Sequence, residues 1–190
     1  THVTHLYSNT STVKRINAYR YAGVIETAYL LDDMSVEIIA DGSHLPASLL
    51  KLIYKIKGSD HIALVTDSMR AAGMPEGKSV IGSLKNGVPV IVEDGVAKLP
   101  DRTAFAGSVA TADLLVRNMV DLADVSLLNA VKMMTITPAK IIGVSDKKGS
   151  ITVGKDADIV IFDENINIKM AMVEGKVIFS KLYFYIRYNG

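Results

Sequence analysis

The stretch IALVTDSM, Ile62 to Met69, sets the frame for the chain. Five apolar or small residues, Ile62 to Thr66, lead to one carboxylate, Asp67, and the apolar run stops there. The run reads as a buried strand. An acid at the tip of a buried strand is costly unless something pairs with it. Working outward, VEIIA (Val36 to Ala40) reads as a second short buried strand and THVTHLY (Thr1 to Tyr7) as another. Between them, Ala22 to Leu31 reads as a helix with apolar residues at 24, 25, 28 and 31. LPASLLKLIYKIK (Leu45 to Lys57) reads as an amphipathic helix, with Pro46 in its first turn where a missing N–H does no harm. Strand, helix, strand, helix, strand, with apolar strands, predicts parallel pairing in a helix-covered sheet.

Beyond Met69 the pattern changes. Met69 to Pro100 is rich in glycine and turns, and Asn86-Gly87 and Asp94-Gly95 are hairpin signals. Ser108 to Ile142 is helical: a second helix is expected after Asp124-Val125-Ser126, a break at Thr137-Pro138, and a short third helix opened by Pro138. From Gly149 onward SITVG, ADIVIFD, IKMAMVEG and KVIFS read as short alternating strands of a small sandwich. YFYIRYNG at the end reads as a last strand or a tail. The chain opens inside a strand-like alternation without Met, as a fragment of something longer would.

The bulk numbers exclude several classes. With a net charge of +1 over 190 residues, nothing global favours nucleic acid or an anionic membrane. Hydrophobic content of 49% with 22% charged residues fits a folded soluble domain. The absence of cysteine rules out disulfides and thiolate metal sites and is compatible with the cytoplasm, the location expected here. No apolar run is long enough to span a bilayer, and the N-terminus does not read as a signal peptide.

In a parallel α/β sheet, reactive groups sit at the carboxyl ends of strands. Each of the three strands ends in polar groups: Thr4-His5, Asp41-Gly42-Ser43-His44, and Thr66-Asp67. His5 is the clearest metal-ligand candidate, since imidazole suits zinc and similar ions. Taken alone, a histidine satisfied by a backbone carbonyl is the commoner case. His2 is expected on the opposite face of the strand, as a structural residue, and His61 at the wrong end of its strand. His44 is placed to donate to a substrate oxygen or to cap the following helix. Asp67 is placed as a general base or as an acceptor of backbone N–H groups; Asp41 competes for the base role, but Asp41-Gly42 reads as turn chemistry.

Together THLY, IIADGSH, LVTDSM, AFAGS and GKDADIVIFD resemble the N-acetylglucosamine-6-phosphate deacetylases of the amidohydrolase superfamily, over nearly the whole chain to about Ser180. GKDADIVIFD is common to many amidohydrolases, whereas ADG-x-H followed by LVTD and AGS is more specific. The resemblance implies an α/β fold: the C-terminal part of a (β/α)8 barrel, strands six to eight with their helices over residues 1–142, and part of a small β-sandwich over 143–180. Residues 181–190 are left as a tail of uncertain origin.

The resemblance also implies roles. His5 matches the metal-binding histidine of strand six, and Asp67 the strand-eight aspartate that activates a metal-bound water and protonates the leaving amine. His44 matches the histidine near the scissile amide that helps stabilise the oxyanion. Arg20 matches an arginine that reaches the sugar phosphate across a dimer interface, a role suited to its fork of donors. Ala106, Gly107 and Ser108 match a loop that closes over the sugar through its backbone. Where the family has Asn-Ala cradling the phosphate, this chain has Ser8-Asn9-Thr10, and the segment Thr10 to Tyr19 is longer, with Lys14 and Arg15 within it.

The expected activity is hydrolysis of the N-acetyl group of N-acetylglucosamine 6-phosphate, giving acetate and glucosamine 6-phosphate. The expected cofactor is a divalent metal, zinc or alternatively iron or another ion. Its other ligands lie on strands absent from this chain, and three protein ligands are usual for catalytic zinc, so weak or no binding by this chain is expected. The expected partners are a phosphorylated amino sugar and a second copy of the chain. Alternatives are another amidohydrolase reaction, a non-catalytic sugar-binding module built on Arg20, His44 and the Ala106–Ser108 segment, or an inert fragment that self-associates.

Overall fold

A computed structural model describes residues 1–182; the expected tail, 181–190, therefore lies almost wholly outside the described residues. In chain order the elements are β1 (His2–Val3), β2 (Lys14–Ile16), β3 (Tyr19–Tyr21), α1 (Val24–Leu30), β4 (Ser35–Ile38), α2 (Ala47–Lys57) and β5 (Ile62–Leu64). Then come β6 (Gly77–Ile81), β7 (Val88–Glu93), β8 (Val96–Lys98), β9 (Phe105–Ser108), α3 (Ala112–Asp121), α4 (Leu127–Met134) and α5 (Ile136–Ile141). The last three are β10 (Ile159–Phe162), β11 (Ile168–Val173) and β12 (Lys176–Ser180).

The parallel sheet has the order β1-β4-β5, with Val3 opposite Val36 and Val36 opposite Ile62. It is covered by helices as expected. Ile25 and Ala28 of α1, Leu50 and Ile53 of α2, and Leu115 and Met119 of α3 pack with Val36, Ile38, Ile62 and Leu64 in one core. Apolar strands and the buried stripes of the helices drive this packing, since each buried aliphatic side chain contributes about 1.5–3 kcal/mol. Side chains outside the apolar core bolt the layers together. Asn118 Nδ2 of α3 donates to Ala40 O just past β4 at 2.9 Å, and Thr137 of α5 donates to Ser59 O before β5 at 2.7 Å.

The strands are shorter than the apolar runs. β1 ends at Val3 rather than Tyr7, because His5 and Tyr7 take left-handed backbone, φ 29° and 74°, which an extended strand cannot hold. β5 likewise ends at Leu64 rather than Thr66. The break between α4 and α5 falls at Thr135 (φ −127°, ψ −88°), two residues before the expected point, and Pro138 sits within the first turn of α5, where it is tolerated.

An antiparallel sheet, β6-β7-β8-β9, follows β5. Asp94 (φ 54°) and Gly95 (φ 72°) make the expected two-residue turn between β7 and β8. The segment around Ala106, Gly107 and Ser108 is therefore not a loop but the edge strand β9, paired with β8. The extra segment after His5 forms an exposed hairpin, β2-β3, turned by Asn17 and Ala18, and its lead-in, Ser11 and Thr12, lies against the start of α1. Gly23 permits this: a Cβ there would lie 2.4 Å from Ser11 O, which accepts the Ile25 N–H at 3.1 Å.

The C-terminal strands form one three-stranded sheet, β10-β11-β12. SITVG is not a strand: Ile151 and Val153 are fully exposed, because no described segment lies beside them to pair. The sheet is tied down by Arg117 of α3, which donates to Asn165 O (3.0 Å) and Ile166 O (3.2 Å) and pairs with Asp113.

Candidate active site

Because β1, β4 and β5 run parallel, their carboxyl ends share one rim. His5 follows β1 by two residues, Asp41 to His44 follow β4, and Asp67 follows β5 by three. All three segments leave the sheet through tight turns. His5, Gly42 and Asp67 have positive φ, 29°, 82° and 44°. A left-handed residue thus interrupts the extended backbone at each strand end, although single bonds to β4 are still made at Leu6 (to Glu37 O, 2.8 Å) and Val65 (to Ile38 O, 3.1 Å).

The turn after β4 is the best defined. Asp41 Oδ1 accepts the N–H groups of Ser43 (2.9 Å) and His44 (2.8 Å), and Asp41 Oδ2 lies 2.7 Å from His44 Nδ1. The side chains are 1% and 12% exposed. Burial pushes the Asp41 carboxyl up, but the His44 ring and the two N–H groups outweigh it, so the carboxyl lies below its ordinary range. The spacing Asp-x-x-His carries this pair in the sequence, where Asp41 competes for the base role but reads as turn chemistry.

Two further side chains were not singled out. The Phe105 ring packs against the His44 ring at 5.1 Å, tilted by 44°, a contact between distant segments that no local pattern announces. Glu37 of β4 accepts from the Thr4 hydroxyl at 2.6 Å and lies 3.1 Å from His2 Nε2. Burial pushes the Glu37 carboxyl up, yet those partners hold it low on balance. His2 Nδ1 also lies 2.8 Å from Ser35 Oγ, so His2 is engaged within the sheet.

β9 links two of the strand ends. Phe105 at one end of it touches His44, and Ser108 at the other bridges Ser68, the neighbour of Asp67, with Met69 N donating to Ser108 O at 2.9 Å. Ala106 and Gly107 lie between. Ser108 is fully buried, backbone included, and its hydroxyl accepts the Ala110 N–H, so of this strand Ala106 and Gly107 are the more open to a ligand. Ser8 and Asn9 stay in the turn after His5, with Ser8 N donating to His5 O at 2.8 Å. Arg20 stands apart: it lies on β3, exposed, directly opposite Arg15. Asp67 is exposed and makes no hydrogen bond to another described side chain.

His5 Nδ1 is buried and has no hydrogen-bond partner, as a nitrogen reserved for a metal would be. However, no group of three or more His, Asp or Glu side chains among the described residues is arranged to hold an ion. This chain therefore supplies one candidate ligand and not a metal centre.

Comparison with known proteins agrees with the arrangement. Residues 2–178 match the Amidohydrolase family. The chain is 36% identical to the N-acetylglucosamine-6-phosphate deacetylase of Bacillus subtilis over 94% of its own length and 43% of that protein. It is 33% identical to an N-acetylgalactosamine-6-phosphate deacetylase of Escherichia coli, over 75% of this chain and 36% of that one. The crystal structure of the N-acetylglucosamine-6-phosphate deacetylase of Thermotoga maritima superposes with a TM-score of 0.81 at 34% identity, covering 94% of this chain and 47% of the other. The chain thus spans less than half the length of these relatives and holds the matching part of the (β/α)8 amidohydrolase barrel. With three polar strand ends on one rim and a match over residues 2–178, this chain belongs to the amidohydrolase family.

Proposed function

We propose that this chain supplies one side of the active site of a cytoplasmic N-acetylglucosamine-6-phosphate deacetylase. The observation that carries it is the common rim formed by His5, the Asp41–His44 pair and Asp67, on a chain similar to such enzymes over most of its length. In this proposal Asp67, exposed at the rim, takes a proton from the attacking water and returns it to the leaving amine. His44 contacts the acetamido group, and the backbone of Ala106 to Ser108 lies along the sugar. Ser8 and Asn9, and Arg20 from the partner of a homodimer, face the phosphate. The family is generally dependent on a divalent metal; zinc is the proposed ion, with His5 as one of its ligands.

The experiment is a substrate panel on the complete enzyme, with acetate release as the readout. Turnover of N-acetylglucosamine 6-phosphate, and loss of it without the phosphate, is expected. Equal turnover of the unphosphorylated sugar would contradict the phosphate assignment. The similarity to an N-acetylgalactosamine-6-phosphate deacetylase makes that epimer the second reading, and N-acetylgalactosamine 6-phosphate in the same panel separates the two.

A further inference from the structure

The proton between Asp41 and His44 has only one place to sit. Asp41 Oδ2 is 2.7 Å from His44 Nδ1, and an ionised carboxylate can only accept. The other oxygen of Asp41 is already committed to the N–H groups of Ser43 and His44. The turn itself is anchored, since Asn118 holds the Ala40 carbonyl at 2.9 Å and Phe105 flanks the imidazole. His44 Nε2, in contrast, makes no hydrogen bond to another described residue.

We propose that Asp41 is a positioning residue that fixes His44 with its proton on Nδ1 and presents Nε2 to the ligand. In the neutral ring Nε2 is then an acceptor, suited to an amide N–H or a sugar hydroxyl. It donates, as contact with an oxyanion requires, only when the ring carries both protons, with the Asp41 charge beside it. The catalytic meaning of this rests on the deacetylase function, whereas the tautomer itself does not.

The test is the ¹⁵N spectrum of the 190-residue chain labelled at histidine, at a pH where the ring is neutral, with His44→Gln identifying the resonances. The expected spectrum shows His44 protonated at Nδ1 and bare at Nε2. In Asp41→Asn the amide oxygen still accepts the Ser43 and His44 N–H groups, but its NH₂ faces Nδ1, so the proton is expected to move to Nε2. A wild-type ring protonated at Nε2 overturns the proposal. So does an unchanged tautomer in Asp41→Asn with the Ser43 and His44 amide resonances in place. Should that variant unfold, the wild-type spectrum alone decides. Failure of the complete enzyme to release acetate would overturn the deacetylase function and leave this spectrum as expected.

Discussion

Asp41 concentrates the physics of the site in one side chain. It accepts three hydrogen bonds while almost wholly buried, so its removal strands three donors. Asp41→Ala is expected to cost about 2 kcal/mol at neutral pH, measured by urea denaturation. The pH dependence has a definite sign. Folding holds this carboxyl low, so its contribution is present above the unfolded value of about 3.9 and is lost as pH falls through the folded value. The gap between wild type and Asp41→Ala should therefore be full at neutral pH and narrow on acidification below about 4. At this scale the sequence was partly legible. His5, His44 and Asp67 stood out because each follows an apolar run, but Phe105 did not, because it meets His44 only through a strand pairing far along the chain.

The elements follow from hydrophobic period and turn chemistry, and their ends do not. The runs Val36 to Ala40 and Ile62 to Thr66 marked β4 and β5, yet both strands stop early at turns that aim polar groups outward. Those turns depend on left-handed backbone at residues such as His5, an identity that carries no such signal in sequence. Ser108 differs for a related reason: the family resemblance implied a loop, whereas Gly107 (φ 121°) lets an edge strand pass close to Met69. Gly23 is the sharpest element-scale test. A Cβ there meets backbone at 2.4 Å, so Gly23→Ala should separate Ser11 and Thr12 from the start of α1 and cost about 1–3 kcal/mol. Faster amide exchange at Ile25, which bonds Ser11 O, would report it. In the core, Met119→Ala is expected to cost about 2–5 kcal/mol, because the side chain is fully buried between α3 and the sheet.

For the whole molecule, one parallel sheet carries a rim of candidate catalytic side chains and, among the described residues, one candidate metal ligand. The chain by itself is accordingly expected to hold less than one equivalent of zinc after dialysis, as read by elemental analysis; stoichiometric retention would contradict the ligand count. In the sequence, a longer parent was legible through the family resemblance; the chain spans 43% of the length of the Bacillus subtilis relative. The central claim is that Asp67 is the proton-transfer group of a 6-phosphosugar deacetylase. Its most direct test is acetate release from N-acetylglucosamine 6-phosphate by the complete enzyme, wild type against Asp67→Asn. A loss of kcat by a factor of about 10² or more is the predicted result; turnover that survives the substitution would contradict it.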